Sequence, residues 1–352
     1  MMTAGRMAAG AALALGMTFA AVQEAGAYVR VPQLHHDLEA GLRTMAENVY
    51  GVRPEFPDFR PTAEVVKTEP LAGGIGTKKL VKINTMTPLG EKTFEARVFL
   101  PKRDGKVPAF VNLVFKWEEL ENGRCPTELI LARGCAVAAV NYNDVLRDDR
   151  DVLKDVKRPE NGWGAISTWA LAASRVADWL VTEPAVDASR LAVVGHSRLG
   201  KTALWAGAND KRFALTCPND SGCFGARLSA FNINGETIRR ITTWFPHWFA
   251  PKCASFSDKD DSLPFDQHWV MATIAPRLLA IGSADGDWWA CPAGELAGYQ
   301  LAKETFEVNK AAENIDFHIR HGGHDITPED WNAYLDFAAR RGWPILPAPA
   351  AK

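Results

Sequence analysis

Three residues in this chain have the types and the order needed for acyl transfer: Ser197, an aspartate beyond a later apolar run, and a histidine beyond the last one. Ser197 lies in Gly195-His196-Ser197-Arg198-Leu199-Gly200, a G-x-S-x-x-G pattern between a short apolar run and a helix-friendly stretch over 201–208. Such a pattern makes a sharp strand-to-helix turn that lifts a serine hydroxyl above the edge of a sheet. Small residues on both sides allow the helix to pack close to the strand. The first N–H groups of that helix have no partner within it and face the place where an oxyanion would form. A serine acts as a nucleophile only when a base takes its proton, and an imidazole base needs a carboxylate to fix its tautomer.

Base and acid candidates follow in order. His321-Gly322-Gly323-His324-Asp325 comes after the apolar run 315–320. Two glycines let that loop fold His324 back over a sheet edge, so His324 is preferred to His321 as the base. In Ala284-Asp285-Gly286-Asp287-Trp288-Trp289, both Asp285 and Asp287 compete for the acid role, and one of them is a turn residue. Asp220, in Asn219-Asp220-Ser221-Gly222, is a second acid candidate with an Asx-turn as its plainer fate. The order serine, acid, histidine, each in a loop after a strand, is that of an α/β-hydrolase.

The elements that must position these residues can be read from period and punctuation. Alternating runs over 78–85 and 93–100, split by Thr87-Pro88-Leu89-Gly90, predict a hairpin. The dense apolar run 107–115 predicts a strand buried on both faces. Further strands are expected over 135–141, 191–195, 213–217, 277–282 and 315–320, and helices over 127–133, 163–182, 263–275, 293–307 and 328–341. The charged, Pro-bearing stretch 144–161 reads as a surface insertion. Residues 32–70, with a helical stretch over 37–50, read as an N-terminal segment wrapped over the domain. Strands alternating with helices predict a mostly parallel central sheet with helices on both faces, a three-layer sandwich.

With the motifs taken together, the chain resembles the glucuronoyl esterases, carbohydrate esterase family 15, and above all their bacterial branch. The resemblance rests on the serine motif through Lys201, on Asn219-Asp220-Ser221-Gly222, Gly235-Glu236-Thr237-Ile238 and Phe245-Pro246-His247-Trp248-Phe249. It continues through Leu263-Pro264-Phe265-Asp266-Gln267-His268, Ala275-Pro276-Arg277, Asp287-Trp288-Trp289 and His321-Gly322-Gly323-His324. It implies Ser197 as nucleophile, His324 as base and Asp287 as acid, with Asp220 where fungal members place a glutamate. It implies that Arg198 stabilises the oxyanion and that Lys201, Glu236 and Trp289 hold the sugar, with Asp285 beside them. The implied reaction is hydrolysis of esters between 4-O-methyl-glucuronate of xylan and lignin alcohols. An acetyl-xylan or other carbohydrate esterase, or a hydrolase-fold protein that binds carbohydrate with weakened turnover, are the alternatives. The chain departs from the fungal pattern: His196 and Asp325 stand where those members have bridged cysteines, and Asn112-Leu113-Val114-Phe115-Lys116-Trp117 is not rich in Gly. Phe224 stands where Gly is usual.

Composition sets the compartment and the partners. Arg6, the apolar and small-residue run 7–22 and Ala25-Gly26-Ala27 predict an export signal over 1–27, followed by a catalytic domain over 28–352. A secreted or periplasmic protein is expected, free of the membrane after cleavage. The formal net charge of −2 is small for 352 residues and argues against a nucleic-acid partner. Cys125, Cys135, Cys217, Cys223, Cys253 and Cys291 show no C-x-x-C or zinc-site spacing, so no metal is expected and no disulfide pairing is assigned. A monomer acting on a lignin–carbohydrate ester, without an organic cofactor, completes the expectation.

Overall fold

The computed structural model describes residues 31–34, 37–232 and 235–349, so the export signal over 1–27 lies outside the described residues. The described strands form one nine-stranded sheet in the order β1-β2-β3-β5-β4-β6-β7-β8-β9. The strands are β1 (Ala63–Pro70), β2 (Gly76–Thr87), β3 (Gly90–Pro101), β4 (Val107–Val114), β5 (Ala136–Asn141), β6 (Val186–His196), β7 (Phe213–Asn219), β8 (Leu278–Ala284) and β9 (Ile315–Arg320). β1, β2 and β3 pair antiparallel and join the rest through β3 and β5. From β5 to β9 every pairing is parallel.

Alternation along the central strands divides the core. In β4, Val107, Ala109, Val111 and Leu113 face one layer, whereas Phe110 and Val114 face the other. The first layer is built by α1 (Leu38–Met45), α3 (Ala165–Leu180), α4 (Arg198–Asn209), α5 (Ile238–Trp244) and α7 (Pro292–Val308), which contribute Met45, Trp169, Leu204, Ile241 and Leu296. The second holds α2 (Thr127–Ala132) and α8 (Pro328–Arg340), through Ile130, Leu131, Trp331 and Leu335. A sheet buried on both faces needs strands apolar at every position, and β4 is buried throughout. The fold is an α/β-hydrolase with helices on both faces of a mostly parallel sheet.

Three sequence expectations need correction. Residues 63–70 are a strand, β1, exposed along nearly all its length at the sheet edge, rather than only a wrapping segment. The helix expected over 263–275 is confined to α6 (His268–Ala272), because the Asp266 carboxylate takes the amides of Ser229, Ala230 and Gln267 and turns the chain there. The stretch 144–161 is not simply a surface insertion: Leu146, Leu153 and the Asp148 carboxylate are buried. Tyr50 is fully buried, stacks on Trp205 of α4 at 4.1 Å, and has its hydroxyl 2.9 Å from the Phe224 carbonyl and 2.8 Å from Gln267 Oε1.

Candidate active site

Parallel strands end together, so the loops after β6, β7, β8 and β9 converge at one edge of the sheet. Ser197 follows β6, Asp220 follows β7, Asp285 and Asp287 follow β8, and His321 and His324 follow β9. Ser197 sits at φ 58° and ψ −125° between strand and helix, a left-handed conformation that a non-glycine residue holds only when its surroundings dictate it. The surroundings are Gly195 and Gly200. A Cβ on Gly195 would lie 2.1 Å from the Leu199 carbonyl, and one on Gly200 would lie 2.8 Å from the Asn219 carbonyl. The Ser197 N–H is held by the Asn219 carbonyl at 2.9 Å.

From this turn the Ser197 hydroxyl lies 2.7 Å from His324 Nε2, and His324 Nδ1 lies 2.5 Å from Asp287 Oδ2. Asp287 is buried, and its other oxygen accepts the Ala290 amide at 3.1 Å. His196 packs on the far side of His324 with ring centroids 4.5 Å apart. Its Nδ1 meets Asn219 Oδ1 at 2.8 Å, and burial depresses its pKa well below the usual histidine value, so it is neutral.

The three carboxylates separate clearly. Asp287 touches His324. Asp285 touches His321, at 2.9 Å, and accepts the Gly322 amide at 3.0 Å. It therefore fastens the histidine loop and does not line the cavity, against its expected place beside the sugar. Asp220 is buried, with Oδ2 3.2 Å from an Arg320 nitrogen and 3.8 Å from His196 Nδ1. Its Oδ1 has no hydrogen-bond partner among the described residues. Burial, with Glu295 and Asp287 nearby, pushes the Asp220 carboxyl up to about 9 against the pull of Arg320.

A cavity of about 230 Å³ opens over the serine, walled by Arg198, Lys201, Asp220, Glu236, Trp244, Trp289 and His324. Lys201 is buried and donates to the Ser221 carbonyl at 2.6 Å; burial lowers its pKa. Glu236 is buried as well, and burial raises its pKa despite Lys201 and Arg227. Trp289 stacks on Trp244 with centroids 5.9 Å apart, and Arg240 lies over both rings. Ring faces beside a cation and a carboxylate suit a sugar, which offers C–H faces and hydroxyls. A larger groove of about 610 Å³, lined by Leu38, Leu42, Ala208 and Arg277, has no comparable convergence of catalytic groups. His196, Asp220 and His324 present ligand atoms within 4.8 Å of one another, but the His324 nitrogens are both occupied by Ser197 and Asp287.

Sequence reasoning missed Asp148, Tyr142 and Trp244. Asp148 lay in the stretch assigned to the surface. The only signal for it was the aromatic cluster around His247 and Trp248, which is too apolar for a solvent loop and needed a polar partner.

The family model described as "Glucuronyl esterase, fungi" matches residues 83–309. A carbohydrate esterase from an unknown prokaryotic organism is 37% identical over 333 residues, 77% of each chain. The 4-O-methyl-glucuronoyl methylesterase of Podospora anserina is 29% identical over 62% of this chain, which spans 46% of that longer protein. Among solved structures, the glucuronoyl esterase from Solibacter usitatus superposes with a TM-score of 0.80 at 30% identity, covering 87% of this chain and 92% of that one. With a family match over most of its length and a fold in common with solved members, the chain belongs to the glucuronoyl esterase family of carboxylic ester hydrolases.

Proposed function

We propose that this protein is an exported, monomeric serine esterase that hydrolyses the ester between 4-O-methyl-glucuronate on xylan and a lignin alcohol. The observation that carries this reading is the unbroken hydrogen-bond path from Ser197 through His324 to Asp287, opening into a cavity walled by Arg198, Lys201, Glu236 and Trp289. Ser197 Oγ attacks the ester carbonyl carbon as its proton passes to His324 Nε2. Asp287 holds the Nδ1–H and stabilises the imidazolium. The Arg198 amide, at the first turn of α4, and its guanidinium stabilise the tetrahedral oxyanion. The imidazolium returns its proton to the departing alcohol, and water, activated by the same imidazole, then frees the uronate from the acyl-enzyme. Lys201, Glu236 and Trp289 hold the sugar ring. No metal or organic cofactor enters these steps.

The test pairs labelling with turnover. A fluorophosphonate probe should modify Ser197, read by mass spectrometry, and methyl and benzyl glucuronate esters should be cleaved faster than an acetylated xylan. Labelling with a preference for the acetyl ester would point to another carbohydrate esterase. Absence of labelling would leave a carbohydrate-binding protein.

A further inference from the structure

In this fold the loop after β4 commonly lends a second amide to the oxyanion hole. Here that loop begins at Phe115, whose N–H donates to Glu119 Oε2 at 3.1 Å. The Phe115 ring lies instead 5.4 Å from the Arg198 guanidinium, which also stands 5.0 Å from the Trp248 ring. A guanidinium between two aromatic rings still needs an anion to fix its direction. Asp148 supplies it: Oδ2 pairs with Arg198 and accepts the Tyr142 hydroxyl at 3.0 Å. Oδ1 accepts His247 Nε2–H at 2.7 Å and Trp248 Nε1–H at 2.6 Å. Burial alone would raise the Asp148 carboxyl, but His247, Arg198 and Trp248 hold it well below the usual range. It does not line the cavity, whereas Arg198 does.

We propose that Asp148 is a positioning residue for the esterase reaction: it fixes the Arg198 guanidinium at the cavity wall beside Ser197, where charge develops on the carbonyl oxygen. This rests on the reading of Ser197 as nucleophile. Four donors on one buried carboxylate leave it little freedom, so the guanidinium is placed before substrate arrives and no reorganisation is needed as the barrier is crossed. Asp148 also tempers the net charge Arg198 presents, so its effect falls on orientation, and hence on kcat more than on KM.

A double-mutant cycle tests this on the full-length mature enzyme with a methyl glucuronate ester. Asp148→Asn should lower kcat about ten- to a hundredfold with KM changed less than about threefold, the scale of a misplaced oxyanion donor. In an Arg198→Ala background the same change should alter kcat less than about threefold, because residues acting through one another are not additive. Equal losses in both backgrounds, or unchanged kcat in Asp148→Asn, would overturn the assignment in favour of a packing role. If Asp148→Asn does not fold by circular dichroism, Tyr142→Phe removes one donor and keeps the carboxylate. Its several-fold loss of kcat should vanish when Arg198 is Ala, and a loss of the same size in both backgrounds overturns the assignment. Wild-type enzyme that neither turns over nor labels at Ser197 would overturn the esterase reading itself, and this assignment with it.

Discussion

At the scale of single residues, the three candidate acids are separated by a few ångströms and by solvation. Asp287 alone meets the imidazole, at 2.5 Å. Asp287→Asn should lower kcat by about 10⁴, since the amide selects the wrong tautomer. Asp285→Asn, which only loosens the His321 loop, should cost less than about tenfold, because the hydrogen bonds of His324 are untouched. An Asp220→Asn variant more damaging than Asp287→Asn would sink this ordering. Asp220 is better read through stability. Its carboxyl is raised to about 9 in the folded protein, against about 3.9 in an unfolded chain. Below pH ~4 both states hold the proton. From there to about 9 only the native state does, so unfolding releases a proton and the unfolding free energy falls as pH rises. Asn keeps the oxygen facing Arg320 without titrating. The melting temperature of Asp220→Asn should therefore gain on wild type between pH ~4.5 and ~8.5. A constant gap across that range would show that the carboxyl is ionised in the folded protein.

Elements carry the site because each proposed catalytic residue sits one to four positions beyond a parallel strand, and the helices behind those strands must not shift. Helix α4, which follows Ser197, is braced from the N-terminal side by Tyr50 against Trp205. Tyr50→Phe keeps the stack but removes the one hydroxyl proton that the Phe224 carbonyl and Gln267 Oε1 compete for. It should cost about 1–3 kcal/mol in denaturant unfolding, as a buried acceptor left unsatisfied does, while kcat stays within about twofold. A fall in kcat with no loss of stability would mean that the brace acts on the chemistry instead. Periodic elements were the legible ones. β4, β5 and α3 announce themselves by dense or periodic apolar residues, because their burial is two-sided or striped. β1 does not, since an exposed edge strand has no apolar face to signal it. The helix expected over 263–275 failed because a buried aspartate, Asp266, was spent on three amides, and side-chain capping at a distance leaves no period in the sequence.

Across the whole molecule, legibility followed whether the fold fixes a residue's place in chain order. Ser197, Asp287 and His324 could be named because the fold fixes their chain order and each follows a strand. Asp148 could not, because no motif or chain-order rule ties it to its partners Arg198 and His247, 50 and 99 residues away, and only the folded chain brings them round it. The cysteines present the same contrast. Six in a chain expected to be exported invite a disulfide framework, yet all six are buried, and Cys125, Cys135, Cys217, Cys223 and Cys253 are free thiols. Burial pushes the thiols of Cys125, Cys135 and Cys223 up to about 12, and those of Cys217 and Cys253 well above the usual value. Disulfide exchange needs the thiolate, and a pKa near 12 leaves a thiolate fraction on the order of 10⁻⁴ or less at pH 8. A large core also removes the need for staples. The native enzyme, purified from the exported fraction without reductant, should therefore give no reaction with Ellman's reagent over minutes. After unfolding in guanidinium it should titrate at least the five thiols of Cys125, Cys135, Cys217, Cys223 and Cys253. Its melting temperature should be the same with and without dithiothreitol. Fewer than five thiols on unfolding, or a melting temperature that falls when reductant is added, would mean that export closes a bridge and that covalent links, rather than packing alone, hold the loops of the site in place.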